Sequence, residues 1–198
     1  IKKNNALISI FPGSRKSELD VLTPILIDFI KLMNEKYKDF TFVFHLTKEY
    51  SEFTQGIIKK NKLNNCEVIS DNKIKSHVLK KSVFAVSKSG TVSLEICNAK
   101  IPSIILYKMS YINYFIIKML VKVKYANIIN IAAKEEIIPE LLQSNCSPKK
   151  IFKHVSDFLE NPKKIDAQIK KTQLIINNFK TKNPSSLQAA TALNKFLN

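Results

Sequence analysis

The chain runs to 198 residues with 45% hydrophobic content, enough for one α/β domain with a real core or for two small ones. Its formal charge of +16 reflects 32 basic against 16 acidic residues, yet the lysines are scattered over the whole length and the arginine forks that read phosphate and guanine are missing, which argues against nucleic acid and for attraction to an anionic surface. No basic leader precedes an apolar run, no stretch of about 18 uncharged apolar residues occurs, and Cys66, Cys97 and Cys146 form no CxxC pair; a signal peptide, a membrane span, a disulfide framework and a zinc site are all unexpected, and a reducing compartment is expected.

Residues 6–11 (ALISIF) read as a buried strand, and 17–37 as a helix with Leu19, Leu22, Ile25, Leu26, Phe29, Ile30, Leu32 and Met33 at mixed three- and four-residue steps. A strand at 40–46 (FTFVFHL) follows, then helices near 51–62, 73–81 and 91–99 alternating with strands at 66–70 (CEVIS), 83–87 (VFAVS) and 103–107 (SIILY). Strands alternating with helices over short connections imply a Rossmann-like α/β domain: a parallel, doubly wound sheet with helices on both faces. From about 110 the stretch SYINYFIIKMLVKVKYANIINIA is aromatic, lysine-studded and apolar on more than one face, and 147–198 is helical throughout, with Pro148, Pro162 and Pro184 as starts or breaks. The first strand begins almost at residue 1, as though another domain preceded it.

In such sheets ligands sit outside the carboxyl ends of the strands, where the turns into helices lie. Gly13 and Gly90 occupy two of these turns, whereas Gly56, the third glycine of the chain, lies inside a helical stretch. The first turn reads PGSR and holds Arg15, the only arginine beside 31 lysines. A composition this lysine-rich would have lost most arginines that a lysine could replace, and lysine cannot copy the bidentate fork that arginine offers a phosphate. Gly13 would let the backbone approach an anion, Ser14 could donate a hydroxyl, and Arg15 could give two parallel charge-assisted bonds. The competing reading is that Ser14 or Ser17 caps the helix and Arg15 lies in solvent. The second turn offers Ser89, Gly90 and Thr91 at a helix start, with Glu95 on the same face as Thr91 one turn on. A diphosphate suits the loop, and a carboxylate one turn deeper could accept both ribose hydroxyls. His45, at the end of the second strand, could touch a ligand but more simply caps a strand; His77 and His154 lie in lysine-rich helices and read as solvated.

The blocks FPGSRKSEL, SKSGTVSLEICNAKIPSIILYKMS, YANIINIAA and IIPELLQSNCSP, in this order and spacing, closely resemble the C-terminal half of the bacterial lipid-A-disaccharide synthase family, glycosyltransferases of the GT-B type. The resemblance covers about residues 6–160, and the tail is compatible. It implies the donor-binding domain of a GT-B fold over residues 1–160 and, over 161–198, a helical segment that packs against an N-terminal domain. It also implies the reaction: transfer of 2,3-diacylglucosamine from its UDP conjugate to the 6-hydroxyl of 2,3-diacylglucosamine 1-phosphate (lipid X), with inversion, giving lipid A disaccharide 1-phosphate and UDP, without a cofactor or metal.

Under the resemblance, Gly13, Ser14 and Arg15 belong to the UDP site, Ser89, Gly90 and Thr91 surround the diphosphate, and Glu95 takes the ribose. Asn130 matches the family's Asn after Leu-Pro, with Ile129 in place of that Pro, and Glu140 and Gln143 match a block near the donor sugar. The general base is implied to lie in the N-terminal half, which nothing here matches; Glu18, Asp20 and Glu95 do not correspond to it, so no catalytic residue is assigned. The implied setting is cytoplasmic, peripheral at the inner face of the bacterial inner membrane, with an anionic membrane surface and a second copy in a homodimer as partners. The stretch 107–124, with Lys108, Lys118, Lys122 and Lys124 among aromatic and aliphatic residues, fits an interfacial helix as well as a core helix with lysines at its rim. The alternatives are another GT-B reaction on a UDP-sugar, by an epimerase or a peptidoglycan glycosyltransferase, and a UDP-sugar-binding or lipid-surface module without transferase activity.

Overall fold

The apolar runs pair into one sheet, and every pairing is parallel. A computed structural model describes residues 6–109, 124–179 and 185–197. Strand β1 (Ala6–Phe11) leads into helix α1 (Lys16–Lys36), β2 (Phe40–His45) into α2 (Lys48–Lys60), β3 (Cys66–Ile69) into α3 (Asn72–Lys80), β4 (Ser82–Lys88) into α4 (Val92–Asn98), and β5 (Ser103–Tyr107) closes the part foreseen from alternation. A short helix α5 (Ile128–Ala133) and a sixth strand β6 (Glu140–Leu142) follow, then a 3₁₀ turn at Gln143–Asn145 and helices α6 (Pro148–Leu159), α7 (Pro162–Phe179) and α8 (Ser185–Leu197). The sheet order is β3-β2-β1-β4-β5-β6. The chain therefore winds outward from β1 to β3, returns to the middle at β4 and winds outward the other way.

Strand side chains alternate between two buried faces. Ile8, Ile10, Phe42, Phe44, Phe84, Val86, Ile104 and Leu106 face the larger cluster, which α1, α2 and α6 cover. Leu7 and Val43 meet Val78 of α3, Ala85 packs with Leu79 and Ile96, and Ile105 packs with Cys97, Ile129 and Ile176 of α4, α5 and α7. Burial pushes the thiols of Cys66 and Cys97 up to about 12 and that of Cys146 to about 11, and all three are free.

Two elements differ from the expectation. Helix α2 begins at Lys48 rather than near 51, because Thr47 is extended and the helix starts directly behind the strand-end loop. Strand β6 is three residues within PELLQ, paired Ile105↔Glu140 to Tyr107↔Leu142; it is too short to show an alternation. Pro148 opens α6 and Pro162 opens α7, as their missing N–H groups allow. Pro184 and most of the amphipathic stretch, residues 110–123, lie outside the described residues.

Helix α7 is not detached from the sheet. Gln168 reaches into the interior, accepts from the amide of Ser103 at 2.7 Å and donates to the carbonyls of Ser103 and Ile137. Gln173 donates to the carbonyl of Cys97 at 2.5 Å, and Lys171 pairs with Glu135. Leu187 and Leu193 of α8 are exposed. Among the described residues no helix is long and apolar enough to cross a membrane.

Candidate functional site

A cavity of about 290 Å³ opens at the carboxyl ends of β1, β2 and β4, where the winding direction reverses. Its walls include Gly13, Ser14, Arg15 and Glu18 from the first turn, Lys88, Ser89, Gly90 and Thr91 from the second, His45 to Thr47 from the end of β2, and Lys75 from α3. The two glycine-bearing turns lie more than 70 positions apart in the sequence and meet because β1 and β4 pair directly, Phe11 opposite Ser87.

The first turn is built around an internal carboxylate. Arg15 is the N-cap of α1 with extended backbone, so neither Ser14 nor Ser17 holds that position. Glu18, three residues on, accepts from the amides of Ser14 at 2.9 Å and Arg15 at 3.4 Å through Oε2, the reaching-back half of a capping box. Its Oε1 meets Nζ of Lys88 at 2.9 Å and lies 3.9 Å from Nη1 of Arg15. Burial pulls the Glu18 carboxyl up, but the Lys88 ammonium and the amides of Ser14 and Arg15 outweigh it and hold the group below the usual carboxylate range. Gly13 has φ +124°, and a Cβ there would stand 2.3 Å from Oε2 of Glu18. The glycine is required by the carboxylate folded over it. The Arg15 side chain is 79% exposed at the cavity mouth.

In the second turn, Ser89 donates its hydroxyl to the carbonyl of Ala126 at 2.8 Å, and its amide donates to the carbonyl of Leu106. Gly90 has open space where a Cβ would stand, and Thr91 is the N-cap of α4. Lys88 also lies 5.6 Å from the ring centre of Tyr107.

Glu95 does not line this cavity. It lines an adjoining one of about 430 Å³ between α3 and α4, which shares Phe11, His45 and Lys75 with the first. Burial draws the Lys75 ammonium down, and Glu95 and Asp71 act against that. Between the cavities His45 stacks on Phe11 with ring centres 4.1 Å apart. Its Nε2 lies 2.8 Å from Oγ of Ser9, which in turn lies 2.7 Å from Oγ of Ser82, whose hydroxyl donates to the carbonyl of Val78. Because Ser82 spends its proton on Val78, Ser9 must donate to Ser82 and accept from Nε2–H of His45. Nδ1 is then a bare acceptor, and it has no partner among the described residues. Burial and the neighbouring Lys75 draw the His45 imidazole down to about 3.

Asn130, Glu140 and Gln143 lie away from both cavities. Asn130 is fully buried and uses both amide hydrogens and both lone pairs: it donates to the carbonyl of Ile138 and to Glu140, and accepts from the amides of Ile137 and Ile138. Glu140 accepts from the amides of Ala126 at 2.7 Å and Asn127 at 2.9 Å. These residues fix Ala126, to which Ser89 is bonded, and thereby brace the second turn. Gln143, with φ +49°, exchanges hydrogen bonds with the backbone of Met109. His77 is exposed, whereas His154 is half-buried and its imidazole is drawn down by that burial, against the expectation that it is solvated.

Glu18, Lys88 and Lys75 were not singled out from sequence as binding residues. Glu18 carried a signal, the spacing of a capping box behind Arg15; the lysines, among 31, carried none.

The family model described as lipid-A-disaccharide synthetase matches residues 1–194. The lipid-A-disaccharide synthase of Rickettsia prowazekii (strain Madrid E) is 32% identical over 200 residues, covering 100% of this chain and 52% of that protein. The one from Sulfurihydrogenibium sp. (strain YO3AOP1) is 36% identical over 181 residues, covering 87% and 45%. Among solved structures, the C-terminal domain of a group 1 family glycosyl transferase (LpcC) from Francisella tularensis superposes with TM-score 0.60 at 17% identity, covering 92% of this chain and 90% of that one. A UDP-GlcNAc 2-epimerase from Neisseria meningitidis gives 0.58 at 15%, covering 89% and 44%. At these identities the likeness is one of fold. The chain spans about half the length of the curated relatives it matches. With the sequence blocks, the switch-point cavity and a match over nearly every residue in agreement, this chain belongs to the lipid-A-disaccharide synthetase family.

Proposed function

We propose that this chain is the donor-binding half of a lipid-A-disaccharide synthase, holding the UDP of UDP-2,3-diacylglucosamine while a second half carries the acceptor, 2,3-diacylglucosamine 1-phosphate. The observation that supports it most is the meeting of the Gly13 and Gly90 turns in one cavity edged by Arg15, Lys75 and Lys88. In that reading the diphosphate lies between the turns, Gly90 allows its close approach, and Glu95 takes the ribose hydroxyls in the adjoining cavity. Asn130 and Glu140 act as positioning residues through Ala126, and Gln143 through Met109.

The transfer forms a bond between O6 of the acceptor and the anomeric carbon as the bond from that carbon to the diphosphate breaks, and the hydroxyl proton passes to a base. Charge growing on the departing UDP would be stabilised by the cationic edge of Arg15, Lys75 and Lys88. The base belongs to the other half of the cleft, toward which the exposed Leu187 and Leu193 of α8 would also turn. The acylated substrates place the chain at an anionic membrane surface, which its charge of +16 suits.

Calorimetry with UDP tests this reading. Affinity is expected to persist in chelator, since Arg15, Lys75 and Lys88 supply the positive charge. Arg15→Lys is expected to lose about 1.5–3 kcal/mol of binding with folding unchanged, the scale of a hydrogen bond to a charged group. No binding of UDP by the chain, or binding no tighter than that of inorganic diphosphate, would overturn it.

A further inference from the structure

The anion that the start of α1 invites is already present, and it belongs to the chain. The Glu18 carboxylate is 15% exposed and lies where a side chain at position 13 would be. Its two oxygens do separate work. Oε2 closes the turn onto the amides of Ser14 and Arg15, while Oε1 faces two of the cavity's three cations, pairing with Lys88 at 2.9 Å and lying 3.9 Å from Arg15. Lys88 is 24% exposed and held at the cavity wall between Glu18 and Tyr107. A diphosphate between the turns asks for the same cation as Oε1; Lys88 has three N–H donors, so what the two anions compete for is its single positive charge.

We infer that Glu18 is a resident competitor of the diphosphate: binding transfers Lys88 from Oε1 to the phosphate while Oε2 keeps the turn closed, and departing UDP is replaced at Lys88 by Glu18. This rests on the diphosphate site proposed above. It gives the site an internal anion that weakens the hold on product, so release needs no bare, uncompensated ammonium to be left in the cavity.

Glu18→Gln separates the two roles, because a carboxamide oxygen still accepts from the Ser14 amide while its NH₂ cannot pair with Lys88. Inorganic diphosphate and UDP are titrated calorimetrically into the 198-residue chain at fixed ionic strength. Glu18→Gln is expected to tighten both by about two- to fivefold, the scale of one partly exposed ion pair, and the gain is expected to vanish when Glu18→Gln is compared with its parent in a Lys88→Met background. Unchanged or weaker diphosphate binding, or an equal gain without Lys88, would overturn the exchange. As a check that needs no variant, the Glu18 carboxyl followed by NMR in the unmodified chain is expected to titrate higher with saturating diphosphate; an unmoved titration also overturns it. Loss of the preference for UDP over inorganic diphosphate, with the exchange intact, would instead count against the nucleotide reading.

Discussion

A methyl group added at Gly13 would land 2.3 Å from Oε2 of Glu18 on a backbone with φ +124°, whereas one added at Gly90 would meet nothing within 4 Å. Gly13→Ala is therefore expected to cost about 1–3 kcal/mol in urea unfolding, the scale of a strained backbone position. Gly90→Ala should stay within about 0.5 kcal/mol of the parent and instead weaken UDP, since its methyl would project where the cavity is open. His45 carries a different kind of residue-scale consequence. Its imidazole is held near 3 when folded and returns to about 6.5 when unfolded, so between those values the unfolded chain takes up a proton that the folded one refuses. Stability should fall as pH drops through this window, by up to about 1.4 kcal/mol per pH unit. Denaturation midpoints for the parent and His45→Gln, compared between about pH 7 and pH 5, isolate this slope from that of His154 and from carboxylates, which titrate lower; equal slopes would place the proton elsewhere. The two glycines were legible as a pair because each follows a strand. Their different reasons were not, because Glu18 folding back over Gly13 is a tertiary fact of the turn.

At the scale of elements, the scarcity of glycine has left a mark at helix ends. Lys62, Lys100 and Lys134 have φ of 54°, 59° and 54°, each just at the end of α2, α4 or α5, where glycine is the usual left-handed residue. At the first two, Leu63 and Ile101 donate their amides back to the carbonyls of Ile58 and Ile96, the longer bond of a Schellman closure. Lys62→Gly and Lys100→Gly should each raise stability by about 0.5–1 kcal/mol, since the lysine bears a left-handed penalty that glycine does not; a loss of stability would mean that glycine's greater freedom in the unfolded chain dominates. The end of α4 was nevertheless legible near 99, where Asn98 and Pro102 supply the stop that glycine does not; β6 was concealed, being set by pairing with β5 rather than by any pattern of its own. The long α1 and the five apolar strands were readable because their periods persist over six or more residues or, in the sheet, because apolar runs are bounded by turns.

For the molecule as a whole, the topology was readable as alternation and the two glycine turns as one ligand edge, but the parts that Lys75, Lys88 and Glu18 play at the cavity were not, because they depend on which strands become neighbours. A donor wall by itself should bind and not transfer: catalysis in a two-sided cleft depends on holding hydroxyl, base and anomeric carbon together, which can be worth roughly 7–11 kcal/mol of barrier. The chain is accordingly expected to bind UDP with negligible disaccharide synthesis, and synthesis is expected to return when an N-terminal half of the same family is supplied; robust product from residues 1–198 would place the base within them. The direct pairing of β1 with β4 has a further consequence. That ladder is the seam between two sequentially separate halves of the sheet, β1 to β3 and β4 to β6, joined through the chain only by the short helix α3 and its loops. A nucleotide touching both turns would act as a clasp across this seam. Its presence should slow amide hydrogen exchange most at Ile8, Ile10, Ala85 and Val86, buried residues of that ladder outside the cavity's lining, and should leave exchange in the edge strand β3 nearly unchanged.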